Sequence, residues 1–389
     1  MEKNKHERKE GSRVRQNIRI GKAKPRERPI TKTRKLESTK EGLDIIFFVS
    51  SSFRAFVVIF GVAQIVLTES DHFNILATRF REVAVMSQVA LWWRAVRPFA
   101  FTVSLIPPIL GGLIAAVENP GLKFSLFRFI LAGIGCMTAH AGANLLSDYY
   151  DFKTRVDRHG TFGSSGLLVN GIMSPEKILR GGWIALVLAG VIGAYLVLVT
   201  PGGTFLVWLI LIGGVLGIFY TAKHFEFKYH ALGDLAVFIS FGPAMVLGAY
   251  FVQASHFSWK PVLCSIPIGL LVDAILHSNN LRDIVNDGVV KIKTVPILIG
   301  EKRAKIMYQA LVFGAYLITL LLVLAGWLTV FALLVFVSLP LAIKAVNTVR
   351  HKERVPTERF ATIDAATAQV HLAFGLLMVI GLLIRYFFM

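Results

Sequence analysis

Apolar runs close to membrane length recur along this chain, with short polar stretches between them. From residue 98 onward nine can be drawn, over roughly 98–117, 126–147, 181–199, 204–221, 232–253, 261–281, 304–326, 328–346 and 367–388. A hydrocarbon core about 30 Å thick is crossed by about 20 residues of helix, which matches most of these runs. Connections such as Thr200-Pro-Gly-Gly203 and Gly326-Trp327 are very short, so successive helices must run antiparallel. The pattern predicts an all-α integral membrane protein, a nine-transmembrane-helix bundle over residues 92–389. Trp92 and Trp93 suit the membrane interface, and Pro98 suits a helix start.

Residues 1–42 break the pattern. They hold 15 Lys/Arg and 6 Glu, a net of +9, which is half of the chain's +18. They have no aromatic residue and few large apolar ones, so the segment reads as a disordered basic tail lying near anionic lipid headgroups. Without aromatics to stack on bases, no nucleic-acid partner is expected. Residues 43–91 read as a membrane-associated or amphipathic extension. Its run 43–67 is apolar but carries Asp44, Arg54 and three serines, and spanning would put the tail opposite the next basic loop. The first apolar run begins too late for a secretory signal. Composition agrees with a membrane protein: 54% hydrophobic, 17% charged, mean hydropathy +0.61. Cys136 and Cys264 sit inside apolar runs without ligand spacing and read as core residues.

Charge sets the expected orientation. Lys153, Arg155, Arg158, Lys177 and Arg180 follow span 2, and Lys223 and Lys228 follow span 4. Lys291, Lys293, Lys302 and Arg303 follow span 6, and Arg350, Lys352, Arg354 and Arg359 follow span 8. The intervening loops hold only Lys123 and Lys260. The alternation places the basic loops in the cytoplasm. The expectation is a multi-pass protein of the cell (inner) membrane with its site opening to the cytoplasmic side.

Two polar motifs end apolar runs on that side. In Asn144-Leu-Leu-Ser-Asp148-Tyr-Tyr-Asp151, the positions 144, 148 and 151 share one helical face over about 10 Å. In Asn279-Asn280-Leu-Arg282-Asp283-Ile-Val-Asn286-Asp287, Asp283 and Asp287 are i, i+4. Asn280 stands at i−3 from Asp283 and Asn279 at i−4, and the spacing does not choose between them. Ionisable residues at membrane spans mark function by default. Facing carboxylates and amides make a hard oxygen site suited to Mg²⁺ shared with phosphates. Lys153, Arg155, Lys228 and Arg282 on the same side suit the phosphate oxygens. The combination describes a diphosphate site, and an allylic diphosphate would ionise there with the bundle shielding the cation from water. A cation-coupled transporter is the competing class, but its acids belong near the midplane. His140 and His277 read as packing residues, Tyr149 and Tyr150 as interface aromatics, and Gly163-Ser-Ser-Gly166 as a turn.

These motifs, with Lys228-Tyr-His-Ala-Leu-Gly-Asp234 between them, resemble the UbiA superfamily of intramembrane prenyltransferases. Asn279–Asp283 and 232–243 look most like its 1,4-dihydroxy-2-naphthoate polyprenyltransferases of menaquinone synthesis. The resemblance runs from about Trp92 to the end. It implies Mg²⁺ held by Asp148, Asp151, Asp283 and Asp287, which are also the catalytic residues. It implies substrate binding by Asn144, Asn280, Lys228, Arg282, Lys153 and Arg97. The partners implied are a polyprenyl diphosphate, an aromatic acceptor and membrane lipid; the same chemistry on 4-hydroxybenzoate, homogentisate or a glycerol ether is the alternative. Asp234 matches the middle motif without an assigned role. The first motif departs from the family's commonest form, with Ser147 for an Asn and Arg155 for the last Asp. Asp157, the nearest acid, would face away if the helix continued. Lys291-Ile-Lys-Thr294 likewise departs from the family's Gly-Lys-x-Thr.

Overall fold

The computed structural model describes residues 87–388. The basic tail 1–42 and residues 43–86 of the expected extension lie outside the described residues. A short helix, Gln88–Ala95, leads into nine bundle helices. These are α1 (Pro98–Glu118), α2 (Leu126–Lys153), α3 (Pro175–Val199), α4 (Thr204–Ile218), α5 (Gly233–Ala254), α6 (Trp259–Arg282), α7 (Glu301–Leu324), α8 (Val330–Arg350) and α9 (Ile363–Phe388).

Their ends follow local chemistry. Ser125, Ser174 and Ser258 cap α2, α3 and α6 through side-chain oxygens, and Pro175 supplies the first residue of α3. All helices except α4 are long and apolar enough to cross a membrane. At 15 residues α4 reaches only about 22 Å. The apolar pattern extends it to residue 221, but the chain leaves the helix after Ile218. Phe227 N–H donates to Phe219 O at 3.1 Å and Lys228 N–H to Tyr220 O at 2.8 Å, folding the following loop back onto the helix end.

The largest core lies among α1 and α5 to α9, with Leu110, Ile268, Val312, Ala342 and Phe374 all buried. Two buried polar contacts cross it: Tyr308 Oη to Thr367 Oγ1 and Tyr316 Oη to Ser338 Oγ, both 2.7 Å. Such contacts satisfy groups that lipid cannot. On the outside, Ile184, Val187 and Leu198 of α3 and Trp208 of α4 are exposed, as lipid-facing residues should be. α2 packs on α3 and α1 on α5. α5 is broken by a single π turn over Ser240–Ala244, around Pro243, which cannot donate a helical hydrogen bond. There Gly242 lies so close to α6 that an added Cβ would stand 3.1 Å from Gly269 Cα.

The alternation of loops is physical. Lys260 of the α5–α6 turn pairs with Glu118 at 2.7 Å, and Gln253 exchanges hydrogen bonds with the Ser125 backbone at 2.9 and 3.1 Å. The loops rich in Lys and Arg meet one another at the opposite end, where the polar motifs lie.

The α1–α5 contact depends on the missing side chain of Gly111, whose Cβ would stand 2.2 Å from Val246 O. Gly111→Ala should cost about 1–3 kcal/mol through overpacking and lower the melting temperature in detergent. Gly133→Ala, with nothing within 4 Å of its Cβ, should leave it unchanged or raise it.

Candidate active site

The first motif occupies the last turns of α2. Asp148 and Asp151 are buried, 1% and 2% exposed, which an unpaired carboxylate would not tolerate. Arg97 pairs with Asp148, whose second oxygen accepts the Ser165 backbone N–H at 3.1 Å. Arg97 holds a left-handed φ of 54°, uncommon for a residue with a Cβ, immediately before Pro98. Asp151 accepts from Lys228 Nζ at 2.7 Å and Ser147 Oγ at 2.9 Å on one oxygen, and from Tyr229 Oη at 2.7 Å on the other. Ser147, standing where the family has Asn, thus contributes a donor of its own. Burial disfavours the Lys228 ammonium, but Asp151 and then the two tyrosines outweigh it, and its pKa is raised. Burial followed by Asp151 raises the Tyr229 phenol as well, keeping it a donor.

Helix α2 does not continue past Lys153. Arg155 adopts φ 59°, and the chain turns back until Asp157 N–H donates to Asp151 O at 3.0 Å. The expectation that Asp157 faces away is therefore corrected. Its carboxyl is buried beside the first motif. Burial and then the charge of Asp151 push it up to about 7, against Lys228.

The second motif straddles the end of α6 and a short helix, Ile284–Val289. Arg282 grips Asp283 at 2.7 and 3.2 Å, reaches Asp364 Oδ2 at 2.7 Å and Ala361 O at 3.2 Å at the head of α9, and also holds Asn279 Oδ1. Its guanidinium carbon lies 5.3 Å from the centroid of the Phe162 ring. Burial pushes the Asp287 carboxyl up to about 7; Lys228 opposes the shift, and Asp283 and Asp151 add to it. The two motifs thus lie within each other's field. Loops tie them together: Arg158 donates to Asn286 O at 3.3 Å and Oδ1 at 3.4 Å, and Lys293 N–H donates to Tyr229 O at 3.0 Å.

Beneath the charged end runs a cavity of about 770 Å³ between α2, α3, α4, α5 and α6. Arg97, Asn144, Ser147, Asp151, Lys228 and Asn279 line its polar end. Ala132, Leu196, Leu206 and Val252 line its far, apolar end. Asp151 and Ala132 are 19 residues apart on α2, so the cavity follows that helix for about 28 Å. Asn144 Nδ2 is buried without a protein partner on this wall, a donor waiting for a polar group.

Most of the expected site residues come together: Asp148, Asp151, Asp283, Asp287, Asn144, Lys228, Arg282 and Arg97. Two do not. Lys153 is exposed, lying over the Tyr149 ring at 5.4 Å, because it falls on the outer face of α2. Asn280 is buried but does not line the cavity. The phase of α6 turns Ile275, Leu276 and Asn279 to the cavity, while His277 bonds Ala304 O at 3.0 Å and Ser278 meets Thr367 Oγ1 at 3.4 Å on the packed side. Asp234, unassigned from sequence, holds His277 Nδ1 at 3.1 Å. Tyr229, Arg158 and Ser165 N–H were not singled out by sequence. Each carried a signal: Tyr229 its place beside Lys228 in the middle motif, Arg158 its place in the basic loop after span 2, and Ser165 its place in Gly163-Ser-Ser-Gly166, which reads as a turn.

Among the described residues no three His, Cys, Asp or Glu side chains converge so as to hold a metal ion by themselves. The donor set is instead five buried carboxylates, Asp148, Asp151, Asp157, Asp283 and Asp287, ringed by cations. Such a set fits a hard divalent ion whose remaining ligands are phosphate and water.

The UbiA prenyltransferase family model matches residues 105–366. UbiA prenyltransferase domain-containing protein 1 of Xenopus tropicalis is 33% identical over 306 residues, covering 78% of this chain and 85% of that protein. The 1,4-dihydroxy-2-naphthoate octaprenyltransferase of Bacillus subtilis (strain 168) is 32% identical over 295 residues, covering 76% of this chain and 93% of that one. A UbiA homologue from Archaeoglobus fulgidus, solved with GPP and Mg²⁺, shares the fold with a TM-score of 0.53 at 15% identity, over 74% of this chain and 99% of that one.

Removing one partner of the Lys228–Asp151 pair leaves a buried charge. Lys228→Met should cost about 3–5 kcal/mol, read as a fall in melting temperature in detergent. The double variant Lys228→Met/Asp151→Asn should melt above the single one, and additive losses would show that the pair carries no coupling.

Proposed function

The chain belongs to the UbiA prenyltransferase family and is a membrane-embedded prenyltransferase, and from that premise we propose that it transfers a polyprenyl group from polyprenyl diphosphate to the ring of 1,4-dihydroxy-2-naphthoate. The product would be demethylmenaquinol, the reduced form of demethylmenaquinone, on the route to menaquinone. The observation that carries this reading is the cavity. It joins a cation-lined, amide-lined head to an apolar end, over about 28 Å in all, the shape and polarity of a diphosphate with a long hydrocarbon tail.

Each part of the site has a task in such a transfer. Asp148, Asp151, Asp283 and Asp287 would hold Mg²⁺, with Asp157 beside them, and the bound ion would draw charge from the departing diphosphate. Lys228, Arg97 and Arg282 stand ready to neutralise the oxygens of the leaving group. Asn144 Nδ2 offers them a hydrogen bond from the cavity wall. The apolar walls keep water from the allylic cation until the electron-rich ring attacks it. In the naphthoate the carboxylate leaves as CO₂ when aromaticity returns. The charge alternation of the loops supports an opening on the cytoplasmic side of the cell membrane. The acids gather at helix ends rather than at mid-span, which argues against ion transport.

The choice of acceptor rests on the similarity to the naphthoate enzyme, and a panel of acceptors tests it. Purified protein given labelled prenyl diphosphate and Mg²⁺ should prenylate the naphthoate in preference to 4-hydroxybenzoate or homogentisate. Asp148→Ala or Asp283→Ala should each lower turnover by about 100-fold or more, and chelation should abolish it. Undiminished turnover in both variants would sink the metal assignment.

A further inference from the structure

His140 projects from α2 one turn below Asn144, about 6 Å further from the diphosphate end. It lines the cavity below the polar head formed by Asn144, Ser147 and Asp151. Its Nδ1 lies 3.1 Å from Ser104 Oγ of α1. Ser104 Oγ has one proton and donates it to Phe101 O at 3.2 Å. With that proton on the Phe101 carbonyl the serine accepts from the imidazole, and in that tautomer Nδ1 carries the ring proton and Nε2 presents a lone pair. Nε2 has no protein partner and is not among the buried orphan atoms, so it faces the cavity. His277, by contrast, has both nitrogens bonded, to Asp234 and to Ala304 O.

The rest of the setting suits an aromatic guest. Phe241 stands edge-on to the imidazole with centroids 4.9 Å apart, and Phe101 flanks it at 6.0 Å. Phe241 reaches this place because the π turn of α5 shifts its register there. Ser104, Phe101 and Phe241, which touch the imidazole, bring no charge; Arg97 is a cation lining the same cavity.

We propose that His140 is the base that takes the hydroxyl proton of the aromatic acceptor. The inference rests on the prenyltransferase reading above and adds a residue to it. Nε2 accepts the proton from the ring hydroxyl, and the electron pair left on oxygen raises the nucleophilicity of the ring. The ring carbon forms its bond to the allylic carbon as the bond from that carbon to diphosphate oxygen breaks, and the ring oxygen becomes a carbonyl. The ring carboxylate then leaves as CO₂. Its bonding pair restores the aromatic ring and the oxyanion, and the imidazolium returns the borrowed proton. An acceptor without the carboxylate loses a ring proton instead.

The test compares wild type with His140→Gln and Ser104→Ala, using prenyl diphosphate, Mg²⁺ and whichever phenolic acceptor the wild type turns over. His140→Gln should lower kcat about 100-fold at neutral pH, in the range of general-base catalysis, with KM for the diphosphate unchanged. The loss should shrink as pH rises, because the acceptor then ionises without help. Ser104→Ala, which frees the tautomer, should show a smaller loss with the same pH trend. A His140→Gln enzyme within threefold of wild type, or a loss equal at every pH, overturns the proposal. Should His140→Gln fail to fold, a Ser104→Ala profile parallel to wild type overturns it equally. A wild type inactive on every phenol would instead count against the functional reading itself.

Discussion

Carboxylates cannot be buried at the end of an apolar bundle without cations to meet them, and this requirement shapes everything around the site. Asp148 draws Arg97 from the segment before α1, Asp151 draws Lys228 from the loop after α4, and Asp283 is held by Arg282, itself anchored on Asp364 of α9. The Arg97–Asp148, Lys228–Asp151 and Arg282–Asp364 pairs tie together elements distant in sequence. The pairs fasten the charged end of the fold where lipid-facing helices alone would be free to slide. They also store, side by side, the acids that suit a divalent ion and the bases that suit phosphate.

Strain appears where this fastening demands it. Arg97 and Arg155 both adopt left-handed backbone, and both stand next to the acids they serve to place. Arg97 brings its guanidinium onto Asp148. Arg155 ends the helix and returns Asp157 to the cluster. The backbone cost of about 1–2 kcal/mol for each such residue is offset by the contacts it makes possible.

The bundle itself was legible from hydropathy, because a span has a fixed length and lipid allows only helix within it. The charged alternation of loops was legible for the same reason, and the loops do gather by parity. The two acidic motifs stood out as charge where none is expected. What spacing could not supply was anything decided by a turn or by helix phase. Asp157 returns because one residue takes positive φ, which no periodicity announces. Asn279 rather than Asn280 lines the cavity, and Lys153 points outward, because the neighbours of α6 and α2 choose which face is packed. The same holds for the histidines. Both look like packing residues in sequence, and only the partners of each nitrogen separate His277, which is fully bonded, from His140, which is not.

The anchoring of Arg282 on the head of α9 makes the second motif depend on a helix far from it in sequence. Asp364 stands 82 residues beyond Arg282, whereas the first motif is closed by Ser165, 17 residues beyond Asp148. The two halves of the charged end are therefore held by contacts of very different reach along the chain. Loss of α9 would release Arg282 and the second motif while leaving the first motif's own contacts in place.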